Sequence, residues 1–248
     1  MLQKEMQLAA VEEGRLTVSL ARCDADIEEA QRLRYKVFAE EMGANICSDN
    51  GLDVDKYDEY CRHLIVRDEV SGRAVGCYRL LTADGAHALG GWYSQSEFDL
   101  GRIDHLLPQT VELGRACVHR DFRNGGTVML LWSGLMKFML QNKLEYMIGC
   151  GSVGMADGGF HAAALYHQLA EQYLCPPEYR VFPHVALPLD KLKSDVSPEC
   201  PPLIKGYLRA GAYICGEPAW DADFNCADML IMMPFSRVSA RYLKHFVK

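Results

Sequence analysis

The stretch VELGRACVHRDFRNGGTVMLLW, residues 111–132, joins two apolar segments through a polar turn that contains paired glycines. VELGRACV is typical of a strand, and TVMLLWSGLMKFMLQ, residues 127–141, is typical of a helix. The first turn of a helix has unpaired backbone N–H groups and the positive end of the helix dipole. The turn between the two elements therefore predicts a cradle for an anion such as phosphate, although such turns also serve as plain connections.

Five residues of this turn and its approach are candidate ligands of that anion. Gly125 and Gly126 allow close approach of the backbone, and Arg123 adds a charged donor suited to phosphate. Asn124 and Thr127 complete the set at the start of the helix.

Length and composition limit the class of protein. A chain of 248 residues that is 49% hydrophobic can bury one core, so we predict a single domain, residues 1–248. The net charge of -7 argues against general binding of nucleic acid, which needs a basic surface. No window approaches the ~20 apolar residues of a membrane span, and the N-terminal residues lack the apolar core of a secretory signal. We therefore predict a cytoplasmic protein.

Ten cysteines are scattered singly along the chain. There is no CxxC pair and no Cys/His cluster at zinc spacing. The pattern predicts reduced, mostly buried thiols, with neither a metal site nor a disulfide framework.

Hydrophobic periodicity predicts a mixed order of elements. A capped amphipathic helix follows Asp24 and Asp26, an acidic loop covers residues 47–60, and residues 63–67 and 74–81 form a hairpin. Residues 83–110 show little periodicity and are interpreted as irregular. Further elements are predicted as a strand at 145–153, helices at 159–173 and 202–213, and a strand at 227–235. The order indicates an α/β class of the α+β type.

Two motifs resemble known families. Arg123-x-x-Gly126, between a strand and a long helix, resembles the acyl-donor loop of the GNAT acyltransferase superfamily. That resemblance implies a mixed, mainly antiparallel sheet flanked by helices. The loop of the superfamily usually ends in Gly or Ala, where this chain has Val128. The departure favours a donor with the single phosphate of a phosphopantetheine arm over coenzyme A.

A second resemblance covers the N-terminal two-thirds of the chain, and a third extends over nearly the whole chain. Residues 34–38 (RYKVF), 55–58 (DKYD), 76–81 (GCYRLL) and 112–115 (ELGR) resemble, in order, the signature of the acyl-homoserine lactone synthases. Residues 201–233, in a C-terminal portion of about 175–248, are instead similar to the ornithine-acyl carrier protein N-acyltransferases, often labelled hemolysin-like. The segment GRACVHRDFRNGG resembles the same family, which we take as the closer relative.

These resemblances imply roles for particular residues. The catalytic candidates are Glu112, Asp58 and Arg34. Glu112 is the first candidate for the base that takes a proton from the acceptor's amine, with Asp58 next; a simple ion pair of Glu112 with Arg115 is the structural alternative. Asp55 and Asp58 are implied to organise Arg34 and Arg79 into an ion-pair network beneath the acceptor pocket, where a solvated turn is the alternative.

The remaining candidates concern substrate binding. Arg34 or Arg115 suits the acceptor's α-carboxylate, and the acidic residues Glu217, Asp221 and Asp223 are candidates for a cationic side chain. Candidates for the acyl channel are Phe38, Trp132 and Met136, although apolar residues at helical spacing are more often core. The candidates for docking acidic acyl carrier protein are Arg120, Arg123, Lys137 and Lys143. The basic, apolar segment SRVSARYLKHFVK, residues 236–248, is a candidate for loose contact with the anionic inner membrane surface.

The resemblances therefore imply an enzyme without a permanently bound cofactor. It would move a (3-hydroxy)acyl chain from the phosphopantetheine of acyl carrier protein to the α-amino group of L-ornithine, giving lyso-ornithine lipid. Alternatives are a synthase with another acceptor, such as glycine or tyrosine, and an enzyme like the acyl-homoserine lactone synthases. A non-catalytic module that binds acyl carrier protein is the alternative from another class, and such a module has no use for Glu112.

Overall fold

The computed structural model describes residues 11–13, 15–123, 125–193, 197–222 and 224–239. The α-helices are α1 (Asp24–Tyr35), α2 (Ala83–Leu89), α3 (Gly126–Asn142), α4 (Phe160–Tyr173) and α5 (Pro202–Ala210). The strands are β1 (Val11–Glu13), β2 (Leu16–Leu20), β3 (Arg62–Asp68), β4 (Arg73–Thr82), β5 (Phe98–Asp99), β6 (Thr110–Val118), β7 (Tyr146–Gly154), β8 (Phe182–Pro183), β9 (Tyr213–Ile214), β10 (Ala219–Asp221) and β11 (Cys226–Pro234). No helix among these described residues is both long enough and apolar enough to cross a membrane.

The chain divides into two compact units. Of the described residues, the first unit contains those up to Leu81 and those from Gly114 to Lys143, and the second contains those from Thr82 to Leu113 and from Leu144 to Ser239. Strand β6 begins in the second unit and ends in the first. The single domain of residues 1–248 stays a prediction.

The first unit is a sheet covered by helices. Strands β1 to β4 follow one another as antiparallel neighbours, and the C-terminal part of β6 lies next to β4. The predicted hairpin is confirmed as β3 and β4, whose turn has Gly72 at a φ of 68°.

Glycines bring helix α3 close to this sheet. A Cβ at Gly76 on β4 would lie 2.6 Å from Thr127 Cγ2, and one at Gly134 would lie 2.9 Å from Leu64 Cδ1. The predicted strand, turn and helix over residues 111–141 are thus present, with the helix packed directly on the strands that precede it.

Helix α1 contributes its apolar stripe to a core cluster of the first unit. The buried members of the cluster are Ala30, Leu33, Val37, Ile65, Cys77 and Cys117. Helix α1 begins at Asp24 without a side-chain cap, so the predicted cap at its start is wrong; Asp26 instead accepts a hydrogen bond from the Arg22 N–H. The helix continues as a π-helix, Lys36–Glu41, whose wider turn the apolar spacing did not reveal.

The second unit contains a mixed sheet. Strand β6 pairs in parallel with β7 over Thr110–Glu112, and β7 pairs antiparallel with β11 along its full length. Strands β9 and β10 both pair antiparallel with β11, while β5 and β8 form a separate two-stranded sheet. The antiparallel pairs predominate, as the predicted fold class requires.

Residues 83–110 are more regular than predicted. They contain α2, β5 and the 3-10 helices Tyr93–Ser96 and Gly101–Gln109. Each of these elements is short or non-α, and too few turns are present for a hydrophobic period to emerge.

Candidate active site

Three arginines and three aspartates form a closed ring of ion pairs within the first unit. The ring runs Arg34–Asp53–Arg115–Asp55–Arg79–Asp58 and back to Arg34, with N···O distances of 2.8, 3.1, 3.1, 2.5, 3.1 and 2.7 Å. Each side chain contacts two neighbours of opposite charge. The predicted association of Asp55 and Asp58 with Arg34 and Arg79 is therefore present in the structure, and it is larger than predicted.

Burial and charge together set the protonation of the ring. Burial alone would raise the pKa of Asp58, but the hydrogen bonds and charge of Arg34, with the charge of Arg79, hold it well below its ordinary value. Burial opposes the charge of Arg34 as well, and Asp58 and Asp53 overcome this and raise the pKa of Arg34. A carboxyl with so low a pKa is a weak proton acceptor, which disfavours Asp58 as the base.

Asp53 and Gln31 are members of this network that the sequence analysis missed. Asp53 bridges Arg34 and Arg115, and Gln31 Nε2 donates to Asp58 Oδ2 at 3.2 Å. The available signal was the alternation DVDKYD in the loop, since Asp53 stands two positions before Asp55.

The two arginines proposed for the acceptor's carboxylate differ in exposure. The side chain of Arg34 is 1% exposed and that of Arg115 is 13% exposed. Arg115 has a φ of 50°, which is uncommon for a non-glycine residue. The arrangement favours Arg115 over Arg34 for any contact outside the ring.

Glu112 lies in the second unit, on β6, and its carboxylate is oriented by local donors. Oε2 accepts from the Tyr93 N–H at 2.7 Å, and Oε1 accepts from the Ser94 N–H at 2.7 Å and from the Ser94 hydroxyl. The donors belong to the start of the 3-10 helix Tyr93–Ser96, whose first N–H groups are available to an anion. Tyr93 and Ser94 were missed because they lie in the stretch interpreted as irregular.

The turn between β6 and α3, residues 119–127, is called here the donor turn. It contains the 3-10 helix Arg120–Phe122, then Arg123, and reaches α3 through Gly125, whose φ is 92°. Only a residue without a Cβ adopts that conformation cheaply. Asn124 lies outside the described residues, so its predicted role stays a prediction.

Polar atoms around the donor turn are buried without hydrogen-bond partners among the described residues. They are Glu41 Oε1, His119 Nε2 and Thr127 Oγ1. Arg123 is engaged: Nε donates to the Val118 carbonyl at 3.0 Å, and Nη2 pairs with Glu41 Oε2 at 2.6 Å. Buried polar atoms without partners are uncommon in proteins. Thr127 Oγ1 can donate to an anion, and so can His119 Nε2 when Nδ1 accepts from the Asp121 N–H, whereas Glu41 Oε1 can only accept.

Comparison with known proteins decides the family. Residues 33–133 match the family model described as Acetyltransferase (GNAT) domain. The L-ornithine N(alpha)-acyltransferase of Rhizobium meliloti (strain 1021) is 37% identical over 93% of this chain and 84% of its own length. The chain belongs to the L-ornithine Nα-acyltransferase family. The family resemblance of the sequence is confirmed, and the chain is an acyltransferase.

Solved structures confirm the fold of this acyltransferase. The acyl-homoserine lactone synthase LasI has a TM-score of 0.52 at 14% identity, covering 93% of this chain and 94% of its own. FeeM, an N-acyl amino acid synthase from uncultured soil microbes, has a TM-score of 0.55 at 10% identity, covering 90% of this chain and 92% of its own. At these identities the likeness shows a GNAT-like fold alone.

The other candidate residues of this acyltransferase occupy ordinary structural positions. Phe38 is half-buried and packs against the core cluster, and Trp132 is buried in α3. Arg120 and Lys143 are exposed and Lys137 is half-buried. Their roles in the acyl channel and in carrier docking stay predictions.

The structure describes two of the three acidic candidates near β10. Asp221 is buried, Glu217 is exposed and Asp223 lies outside the described residues. The acyltransferase also buries Asp228, which the sequence analysis missed; burial raises the pKa of Asp228, and the charge of Asp221 adds to that effect. Asp221, Cys226 and Asp228 each offer a ligand atom, and these atoms lie within 4.8 Å of one another.

The predicted basic segment at residues 236–248 lies largely beyond the described part of this acyltransferase, which ends at residue 239. Arg237 is described: it stacks on the Tyr213 ring at 4.2 Å and donates to the Gly211 carbonyl. Its guanidinium therefore has intramolecular partners.

Proposed function

We propose that this enzyme transfers a (3-hydroxy)acyl chain from the phosphopantetheine of acyl carrier protein to the α-amino group of L-ornithine, giving lyso-ornithine lipid. The observation that carries the proposal is the 37% identity to the Rhizobium meliloti L-ornithine N(alpha)-acyltransferase along nearly the whole chain. The oriented carboxylate of Glu112 supports it from the chemical side, because amide formation needs a proton acceptor.

The reaction requires a neutral amine. The α-amine of a free amino acid is largely protonated near neutral pH, so a proton must leave before nitrogen attacks the thioester carbonyl carbon. Glu112 accepts that proton, directly or through water. The new C–N bond then forms as the C–S bond breaks, and the carrier's thiol leaves. Support for this role comes from the three donors that fix the Glu112 carboxylate.

The ion-pair ring positions the acceptor instead of doing chemistry. Arg115, the more exposed of the two carboxylate candidates, binds the acceptor's α-carboxylate, and the other charges of the ring hold it in place. Arg34 and Asp58 act as positioning residues within the ring, in agreement with their burial.

The donor turn holds the phosphate of the donor arm. Backbone N–H groups at the start of α3, the Thr127 hydroxyl and the Arg123 guanidinium provide donors of the kind a phosphate accepts. A thioester donor is common to acyltransferases of this kind, and the carrier protein is the part that we propose. Arg120 contributes positive charge to carrier docking. The enzyme works in the cytoplasm, in loose contact with the inner membrane surface where its lipid product belongs.

A competition assay tests the acceptor. Purified enzyme is given one 3-hydroxyacyl carrier protein with equal amounts of ornithine, glycine and tyrosine, and the products are resolved by mass spectrometry. The proposal predicts acylated ornithine as the main product. A dominant glycine or tyrosine product would replace ornithine as the acceptor, and carrier binding without any product would indicate the non-catalytic module.

A second assay tests the donor. With ornithine saturating, acyl carrier protein should be a much better donor than the same acyl group on coenzyme A. The apparent KM for the carrier should rise with salt, because an acidic partner docks on a basic surface. Equal efficiency with both donors at all ionic strengths would remove the carrier from the proposal.

A further inference from the structure

The guanidinium of Arg123 is held by two acceptors that lie outside the donor turn. Its Nε donates to the Val118 carbonyl at 3.0 Å, and its Nη2 pairs with Glu41 Oε2 at 2.6 Å. Both acceptors occupy the same edge of the planar group. Among the described residues Nη1 has no hydrogen-bond partner, so the other edge remains available for a bidentate contact.

Glu41 reaches Arg123 from a distant part of the chain. It is the last residue of the π-helix Lys36–Glu41, 82 positions before Arg123 in the sequence. A π-helix is rare and is found frequently at functional sites, because its wider turn changes where the following side chains project.

Stability does not explain this ion pair. The Arg123 side chain is 48% exposed, and ion pairs with so exposed a partner contribute little. The second carboxylate oxygen, Glu41 Oε1, is buried and lacks a hydrogen-bond partner within the described ranges. Leaving a buried acceptor unsatisfied costs free energy, so the contact requires another reason.

We propose that Glu41 is a positioning residue for Arg123, holding one edge of the guanidinium so that the other meets the phosphate of the acyl donor. The inference rests on the proposed role of the donor turn. A free arginine loses rotamer entropy when it binds a ligand, and Glu41 removes that cost by ordering the side chain beforehand. Glu41 thereby increases donor affinity and leaves the chemical step unchanged.

Two substitutions separate orientation from charge. Glu41→Ala removes the acceptor, and we expect the KM for the acyl donor to rise roughly 3- to 10-fold with kcat unchanged. Glu41→Gln keeps an oxygen that accepts from Nη2 while removing the negative charge, and we expect a KM within about twofold of wild type. The matched control is Glu40→Ala, because Glu40 is the exposed neighbour and should leave both constants unchanged.

A double-mutant cycle with Arg123→Ala shows whether Glu41 acts through Arg123. We expect Arg123→Ala alone to raise the donor KM and the added Glu41→Ala to have no further effect. An unchanged or lower donor KM in Glu41→Ala overturns the inference. The inference is also overturned if Glu41→Ala raises the donor KM by the same factor in the Arg123→Ala background as in the wild-type enzyme.

The same data distinguish this inference from the proposed function of the turn. If Arg123→Ala leaves the donor KM unchanged, the assignment of the donor turn fails. If Arg123→Ala raises it and Glu41→Ala does not, only the role of Glu41 fails.

Discussion

Six charged residues in one ring raise the question of why the chain buries charges at all. Arg34, Asp58 and Arg79 are almost completely inaccessible, and an apolar cluster of the same volume would avoid their desolvation. In a closed ring each charged group pairs with two groups of opposite charge, and each guanidinium is fixed in one orientation. That precision suits a site that has to hold Arg115 against a substrate carboxylate, which is why we connect the ring with function.

The ring also predicts how stability depends on Asp58. Asp58→Asn leaves the buried Arg34 with one partner fewer, and we expect it to lower the free energy of unfolding by about 3–5 kcal/mol at pH 7. Because the folded pKa of Asp58 lies below its ordinary value, its contribution is present above that ordinary value and is lost as pH falls toward the folded pKa. Urea unfolding should therefore show a smaller difference in the free energy of unfolding between the wild type and Asp58→Asn at pH 3 than at pH 7.

The exposed Asp104 provides the control for this measurement. Asp104→Asn removes the same charge at the surface and should change stability by less than about 0.5 kcal/mol. A stability loss in Asp58→Asn that is equal at both pH values would contradict the depressed pKa.

Glu112 is the residue for which function and structure make different predictions. Glu112→Gln keeps the shape of the side chain but cannot take a proton, so turnover should fall ~100-fold or more. The amide has one oxygen where the carboxylate uses two, so one backbone N–H of Tyr93 or Ser94 loses its acceptor, and the free energy of unfolding should fall by about 1–3 kcal/mol. Raising the pH should recover part of the loss, because more acceptor then arrives as the neutral amine. Rate against pH, measured beside a melting curve, checks both expectations.

Other outcomes for Glu112→Gln have clear meanings. A stable variant with nearly wild-type rate would show that the base lies elsewhere. A variant that melts far lower would show that the carboxylate mainly anchors the 3-10 helix at Tyr93 and Ser94.

At the scale of elements, the contact between β4 and α3 determines where the donor turn lies. The space at Gly76 is filled by the Thr127 methyl, and a β-branched side chain in a helix has little rotamer freedom. Gly76→Ala should therefore lower the free energy of unfolding by about 1–3 kcal/mol, through displacement of the start of α3. Urea unfolding together with the donor KM measures both effects.

Gly206 in α5 is the matched control, since a Cβ there meets nothing within 4 Å. Gly206→Ala should be neutral or stabilising by up to about 1 kcal/mol, because alanine favours a helix. If both substitutions behave alike, the close approach at Gly76 does not constrain the helix.

Elements with several repeats of their period could be predicted from the sequence. The β3–β4 hairpin, the β6–turn–α3 unit and helix α4 agree closely with their predicted positions because each carries its signal locally. The short β1, β2, β9 and β10 were not predicted, since two to five residues do not establish an alternation.

The candidate site was predictable only in part, for a related reason. Family motifs pointed to Arg34, Asp58 and Glu112, but the partners that orient them come from elsewhere in the chain. Ser94 lies 18 positions from Glu112, and Glu41 lies 82 positions from Arg123. Such pairings depend on how the chain folds back, and no local pattern specifies them.

For the whole molecule, family membership and site chemistry point to the same reaction. The relatives show that the chain is an acyltransferase. The roles that we propose for the ring, for Glu112 and for the donor turn are those that acylation of an amino acid by a phosphopantetheine thioester requires. N-acylation of a charged amino acid produces an amphiphile. The product should therefore partition into the lipid fraction when cells are extracted.

Mass spectrometry of lipid extracts tests this account most directly, because one spectrum reports both the head group and the acyl chain. Cells that overproduce the enzyme should contain a new lipid with ornithine joined to a 3-hydroxyacyl chain by an amide at the α-nitrogen. Cells that produce Glu112→Gln at the same level should contain little of it. An acylated head group other than ornithine, or no new acylated amino acid at all, would contradict the account.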